Sequence, residues 1–118
     1  MKPASKNILF GLLFIISIST LLPILGLTHF HTKGEPREAI VAVSMLEDGN
    51  WILPRNNGGD IAYKPPMYHW LTALGSMIFN RGDVNEYTSR LPSALAAIII
   101  ASTMFLFYSR RSGNYNTA

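Results

Sequence analysis

The stretches NILFGLLFIISISTLLPILGL (Asn7–Leu27) and LPSALAAIIIASTMFLFYS (Leu91–Ser109) decide the fold class. Neither contains a charged side chain. At 1.5 Å rise per residue, runs of 21 and 19 residues reach ~32 and ~29 Å as helices, enough for a ~30 Å hydrocarbon core. A helix satisfies its own backbone hydrogen bonds, so both runs suit lipid as they stand. The expected fold is therefore an all-α membrane protein with two transmembrane helices, residues 7–27 and 91–109, flanking an extracytoplasmic loop of residues 28–90. Residues 1–6 and 110–118 form the cytoplasmic N-terminus and tail, and Ser112–Ala118 within the tail is a short polar stretch expected to be disordered or to begin a turn.

Charge placement sets the orientation. Lys2 and Lys6 precede the first run and Arg110 and Arg111 follow the second, while the loop holds six basic residues and all seven acidic ones. An excess of Lys and Arg at the ends puts both termini in the cytoplasm and the loop outside. The formal charge of +3 is thus a topology signal, and no basic run interleaved with aromatics points to nucleic acid. The first run is longer than a signal-peptide core of about 7–15 residues, and Thr28-His29-Phe30-His31 offers no small-x-small cleavage site, so it reads as an uncleaved anchor. Pro23 kinks that helix or marks its outer end. The chain lacks cysteine, which excludes disulfides, thiolate ligands and a cysteine nucleophile.

Within the loop, two short helices flank a turn-rich segment. The first starts near Glu35-Pro36, with Pro at the first helical position, and closes at Gly49. Ala39, Ile40, Val43 and Leu46 form its expected apolar stripe, with Arg37, Glu38, Ser44 and Glu47 mainly off it. Asn56-Asn57-Gly58-Gly59-Asp60 is a turn between Trp51-Ile52-Leu53 and Ile61-Ala62-Tyr63, a possible small hairpin. The second helix starts at Pro65-Pro66 and has no formally charged residue to Asn80, only His69. It is short for a span, so a juxtamembrane or partly inserted helix is expected, with a third spanning helix as the competing reading. Trp51, Tyr63, Tyr68 and Trp70 suit an interfacial aromatic belt, and Met45, Met67 and Met77 read as packing residues.

Three clusters carry possible chemistry: Gly34-Glu35-Pro36-Arg37-Glu38, Tyr63-Lys64-Pro65-Pro66 and Ser89-Arg90-Leu91-Pro92-Ser93. Each sets charge at the start of an apolar helix. A carboxylate there can orient an acceptor or take its proton. Lysine at a helix N-terminus can hold a phosphate oxygen, and arginine adds bidentate contacts. The structural alternatives are an N-terminal helix acid for Glu35, snorkelling for Lys64 and Arg90, and a same-helix ion pair for Arg37. His29 and His31, spaced i, i+2, read as solvated interface residues, and no metal site is expected.

Glu35-Pro36-Arg37-Glu38-Ala39, Met45-Leu46-x-x-Gly49-Asn50-Trp51-x-x-Pro54, Tyr63-Lys64-Pro65-Pro66-Met67-x-x-Trp70 and Arg90-Leu91-Pro92-Ser93 occur in order within about 60 residues. Together they resemble the N-terminal part of the polytopic glycosyltransferases related to the aminoarabinose (lipid A) transferase and the protein O-mannosyltransferases. The resemblance implies a GT-C-type enzyme of many spans in a bacterial inner membrane. Such an enzyme passes a sugar, with inversion, from a polyprenyl-phosphate donor to a glycolipid or protein acceptor outside the cytoplasm, without a cofactor.

It also implies an acidic pair followed by x-Arg in the first loop, the leading acid being the catalytic candidate. Here Gly34-Glu35 stands where Asp-Glu is expected. Either Glu35 takes the role, or Glu38 reaches it from the next turn, or the activity is lost; Glu35 is the preferred reading. The lysine of Lys-Pro-Pro carries over onto Lys64 as the donor-phosphate residue, with Arg37 or Arg55 supporting. On this reading 118 residues are an N-terminal fragment, too small to enclose donor and acceptor. The alternative is a non-enzymatic two-span protein whose loop binds a partner or lipid headgroups; a secreted soluble domain fits poorly with the second apolar run.

The absence of native cysteine makes the topology directly testable. In spheroplasts, a membrane-impermeant maleimide should label Asn57→Cys from outside, and Ser112→Cys only after permeabilisation. The reverse pattern would invert the orientation.

Overall fold

The structure is a computed structural model that describes residues 3–57 and 59–114. Four helices occur among them: α1 (Pro3–Leu21), α2 (Gly34–Asp48), α3 (Met67–Phe79) and α4 (Glu86–Asn114). No strand forms among the described residues. The chain divides into two compact units, one of Ile24–Pro92 and one made from the chain up to Pro23 together with the chain from Ser93 onward. α4 takes in residues 112–114 of the expected polar tail as helix, and Met1, Lys2 and residues 115–118, the rest of that tail, lie outside the described residues.

The two expected spans come out unequal. α1 ends at Leu21, two residues before Pro23, because proline lacks an N–H and biases the preceding residue away from helical backbone. Its apolar part, Ser5–Leu21, falls short of a full span. The expected helix over 7–27 is therefore shorter at its outer end, and among the described residues one helix is long and apolar enough to cross a membrane, so the two-span expectation is not confirmed. That helix is α4, whose segment Glu86–Arg111 contains an 18-residue stretch of mean hydropathy 1.9. α4 starts five residues before the expected Leu91 and tolerates Pro92 inside it. Its start is built by exchange of hydrogen bonds: Asn85 Oδ1 accepts from the Thr88 amide at 3.0 Å, and Thr88 Oγ1 accepts from the Asn85 amide at 3.0 Å. This satisfies backbone donors that the helix itself leaves open.

In the unit of α1 and the later part of α4, Lys6 Nζ donates to the Ser109 carbonyl at 2.7 Å. Phe10 lies against both Phe14 and Phe105, with ring centroids 6.2 and 6.0 Å apart. Ser17 and Thr20 return their hydroxyls to the carbonyls of Leu13 and Ile16 at 2.8 Å, which lets polar side chains sit in an apolar helix without open donors.

The unit of Ile24–Pro92 is organised by the packing of α2 on α3. α2 runs over the expected segment and stops where Gly49 takes left-handed backbone, φ 66°, a conformation that a Cβ disfavours. α3 likewise covers the expected second helix. Its 13 residues reach only ~20 Å, too short for the competing third span. Between them, the Asn56 amide donates to Asp60 O and the Ala62 amide to Pro54 O, both at 2.9 Å. A single Arg55–Ile61 bridge replaces the possible hairpin.

The buried face of α2 differs from the expected stripe. Ala39, Val41, Ala42, Ser44 and Met45 are buried, whereas Ile40 is exposed and Val43 and Leu46 only half-buried. The helix turns the small Ala39, Ala42 and Ser44 inward beside Val41 and Met45, and α3 does the same with Thr72, Ala73, Gly75 and Ser76. Small side chains let two backbones approach closely. The large apolar residues of α3 point the other way: Ile78 is 73% exposed and Phe79 64%, while Thr72 and Ser76 are at 0%. This is the inverse of a water-soluble domain, whose large apolar side chains lie inside.

That close approach gives a stability test. Ala42→Leu, at a position with 0% exposure, should destabilise the α2–α3 pair by about 1–3 kcal/mol through overpacking, measured as a lower unfolding midpoint in detergent. An unchanged midpoint would show that the pair has room to spare.

Candidate functional site

The three charged clusters separate into two places within the Ile24–Pro92 unit. The first is centred on Arg90. Its Nη1 donates to the carbonyls of Leu25 and Thr28, both at 2.8 Å, and Nη2 donates to His29 O at 2.9 Å. Nε and Nη2 reach the two Glu35 oxygens at 3.3 and 3.2 Å, and the Phe30 ring lies 5.8 Å from the guanidinium carbon. Arg90 is thus not a snorkelling cation. It ties the segment before α2, and α2's first turn, to the start of α4.

Glu35 is occupied accordingly. Besides Arg90, its carboxylate accepts from the His31 amide at 3.1 Å, and its own amide donates to Thr32 Oγ1 at 3.3 Å. Arg90, with the His31 amide, holds the Glu35 carboxyl below the usual carboxylate range against a smaller opposing effect of desolvation. These bonds serve the helix N-terminus, where orphan amides and the helix dipole favour an acid.

The second place is an open cavity of about 420 Å³ whose lining includes Arg37, Glu38, Asp60, Tyr63, Lys64 and His69. Glu38 stands three residues after Glu35, so the two carboxylates leave α2 from neighbouring turns and reach different partners. Lys64 Nζ lies 2.5 Å from Glu38 Oε1, and His69 Nε2 lies 2.7 Å from Glu38 Oε2. An ionised carboxylate only accepts, so His69 Nε2 carries the hydrogen and donates. Burial raises the Glu38 carboxyl's pKa, but the hydrogen bonds from Lys64 and His69 together outweigh it and hold it below the usual range. Glu38 is therefore an ionised carboxylate near neutral pH.

His69 is held from behind. It sits on the first turns of α3 with 1% exposure, and its Nδ1 has no hydrogen-bond partner among the described residues. The neighbouring Tyr68 hydroxyl donates to the Ser89 carbonyl, which ties α3's start to α4's first turn. Trp70 Nε1 donates to the Trp51 carbonyl at 2.7 Å, tying the same turn to the segment after α2.

Of the residues singled out in the sequence, Arg37 and Lys64 come together at the cavity and Glu35 does not line it. Arg37 is exposed and forms no same-helix ion pair among the described residues. Arg55 does not line the cavity either; its Nη1 reaches the Gly59 carbonyl at 3.4 Å, within the turn. His29 pairs with Glu86 at 3.2 Å, and no group of three metal-ligating side chains occurs among the described residues. His69 was missed as a site residue. Its one sequence signal is that it is the sole ionisable side chain besides Tyr68 in the otherwise uncharged stretch from Pro65 to Asn80.

Because the Glu35 pKa is lowered on folding, its contribution to stability is present above the unfolded carboxylate pKa and is lost as pH falls through the folded value. Acid titration of the folded chain in neutral detergent should lose stability in that window, and Glu35→Gln should flatten the loss. Arg90→Lys keeps the charge but cannot reach all five acceptor groups, and should cost about 1–3 kcal/mol. A full retention of stability by Arg90→Lys would show that charge alone is enough.

Comparison with known proteins returns relatives that match a fragment of their own length. The chain is 38% identical over 92 residues to a protein of Shewanella sediminis (strain HAW-EB3) named undecaprenyl phosphate-alpha-4-amino-4-deoxy-L-arabinose arabinosyl transferase, covering 76% of this chain and 16% of that protein. It is 36% identical over 85 residues to the protein of the same name from Pseudomonas savastanoi pv. phaseolicola (strain 1448A / Race 6), covering 72% and 15%. An uncharacterised protein of Aquifex aeolicus (strain VF5) is 35% identical over 106 residues, covering 83% and 20%. No family-level sequence profile matches the chain, and no solved structure does. The matched part of this chain corresponds to about a sixth of the length of the named transferases, and over that part it is similar to them.

Proposed function

We propose that this chain forms the N-terminal, donor-phosphate-holding region of a membrane glycosyltransferase that uses a polyprenyl-phosphate-linked sugar. The observation that carries the reading is the meeting of Lys64, Arg37 and Glu38 at one cavity, formed by the segments that match transferases named for an undecaprenyl-phosphate-linked sugar. A departing polyprenyl phosphate gathers negative charge, and a preorganised cation stabilises that charge most as the bond breaks. Lys64 is exposed and stands three residues before the start of α3, so it can reach a phosphate at the start of an apolar helix. Arg37, on the other wall, supplies a second cation.

Of the two carboxylates that line this cavity, Glu38 and Asp60, Glu38 is the one bonded to Lys64 and His69, and we assign to it the part of orienting the acceptor and taking its proton. Glu35 serves the Arg90 assembly. The outward apolar faces of α3 and the apolar length of α4 support an integral membrane location, with the α2–α3 pair at the extracytoplasmic surface. The acceptor class is a glycolipid or a protein hydroxyl, on the extracytoplasmic side.

A chimera tests the assignment. The matched region of the Shewanella sediminis protein is replaced by this chain's, and sugar transfer is assayed in membranes. Transfer should occur, fall about 100-fold or more with Lys64→Met, and fall about 10²–10⁴-fold with Glu38→Gln. Glu35→Gln should act mainly by lowering the amount of folded protein. Full transfer with Lys64→Met would remove the donor-phosphate role.

A further inference from the structure

The two donors on Glu38 are unlike in one respect that bears on the order of events. Lys64 has a side-chain exposure of 68% and Glu38 of 16%, while His69 has 1%. Lys64 is a flexible cation from the segment before α3, able to swing away through solvent. The His69 ring is closed in by α2–α3 packing and can move only if the helices part. One carboxylate therefore has a fixed donor on Oε2 and a detachable one on Oε1.

A phosphate ester competes well for the detachable donor. It carries at least as much charge as a carboxylate and more acceptor oxygens, and Lys64 has three N–H groups to offer. Loss of the cation from Glu38 also changes the carboxylate itself. Burial raises its proton affinity, and Lys64 contributes the larger of the two side-chain hydrogen bonds that oppose burial. With Lys64 gone, the carboxylate becomes a better proton acceptor.

We propose that Lys64 changes partner from Glu38 to the donor phosphate on binding, while His69 keeps Glu38 in place, so that the proton-accepting oxygen is uncovered only when the donor is seated. This rests on the reading of Lys64 as the donor-phosphate residue. His69 is a positioning residue and Glu38 the group that meets the acceptor. In the step so prepared, the acceptor hydroxyl oxygen bonds to the anomeric carbon and the bond from that carbon to the phosphate oxygen breaks. The electron pair leaves on the phosphate, held by Lys64, and the hydroxyl proton passes to Glu38 Oε1. With Lys64 still on Glu38, that oxygen is both neutralised and covered, which blocks proton transfer from any acceptor arriving first.

The exchange is read in the full 118-residue chain in maltoside micelles, with farnesyl phosphate as the probe and farnesol as its uncharged control. Carboxyl carbon, lysine Nζ and imidazole nitrogen resonances are followed by NMR. Farnesyl phosphate should shift the Lys64 and Glu38 signals together to saturation, while His69 Nε2 keeps the shift of a nitrogen bonded to a carboxylate. Glu38→Gln should tighten farnesyl phosphate binding about two- to five-fold by removing the internal competitor. His69→Leu should broaden or split the Glu38 signal, and His69→Gln, which still presents an N–H, should restore it.

A response to farnesol equal to that to farnesyl phosphate overturns the exchange. Binding that survives Lys64→Met overturns the reading of Lys64 beneath it. Binding that needs Lys64, yet leaves the Glu38 signal unmoved in the wild-type titration, overturns the exchange alone and leaves that reading standing. The wild-type titration decides even where a variant fails to fold.

Discussion

Arg90 is the constraint on which the Ile24–Pro92 unit depends. A guanidinium in a largely apolar setting must find acceptors, and five N–H groups must find them in one plane. The chain meets this demand with three backbone carbonyls, the Thr28 hydroxyl and the Glu35 carboxylate. The segment that leaves Leu25 is thereby brought round so that α2 begins beside α4's first turn. Where α2 starts follows from where that first turn is held, and its packing on α3 sets the rest of the helix, Glu38 included.

Satisfying Arg90 has a chemical consequence for the neighbouring acids. Glu35 and Glu38 are three residues apart on one helix and have the same side chain, yet their surroundings give them different work. Glu35 faces a cation that cannot leave without opening several other bonds. Glu38 faces a cation that can. Only the second arrangement sets a carboxylate beside an exposed cation at the cavity, which is why the cavity and not the motif order directs the assignment of roles.

The burial pattern links this site to its solvent. Thr72, Ser76, Thr88 and His69 lie inside, and the bulky apolar side chains of α3 lie outside. In water this would be a costly surface, whereas against lipid tails an outward Ile or Phe loses little and inward small residues gain close backbone contact. The same inward turn of small side chains brings α3 near enough to α2 for His69 to reach Glu38 across 31 residues of sequence. A helix pair packed through leucines would hold those two residues too far apart.

By itself the sequence determined the helical content, the places of α2 and α3, the end of α2 at Gly49 and the apolar character of α4. Each is encoded locally: by uncharged runs, by Pro at a helix start, by a glycine free to take left-handed backbone. It also held the Lys-Pro-Pro and Glu-Pro-Arg clusters that direct attention to phosphate chemistry. The reach of α1 was overstated because one proline within an apolar run leaves the hydropathy signal nearly unchanged while ending the helix. The inward face of α2 differs from the expected stripe because the α3 face it packs on, with Thr72, Ala73, Gly75 and Ser76, is small and largely polar, so Ala39, Ala42 and Ser44 share the buried side with Val41 and Met45. Only the tertiary structure decided which carboxylate faces which cation, that Arg90 is a clamp, and that His69 belongs to the site, because those pairings join residues 31 and 55 positions apart. No local pattern specifies a contact of that kind; the packing of α2 on α3 and the acceptors gathered round Arg90 do.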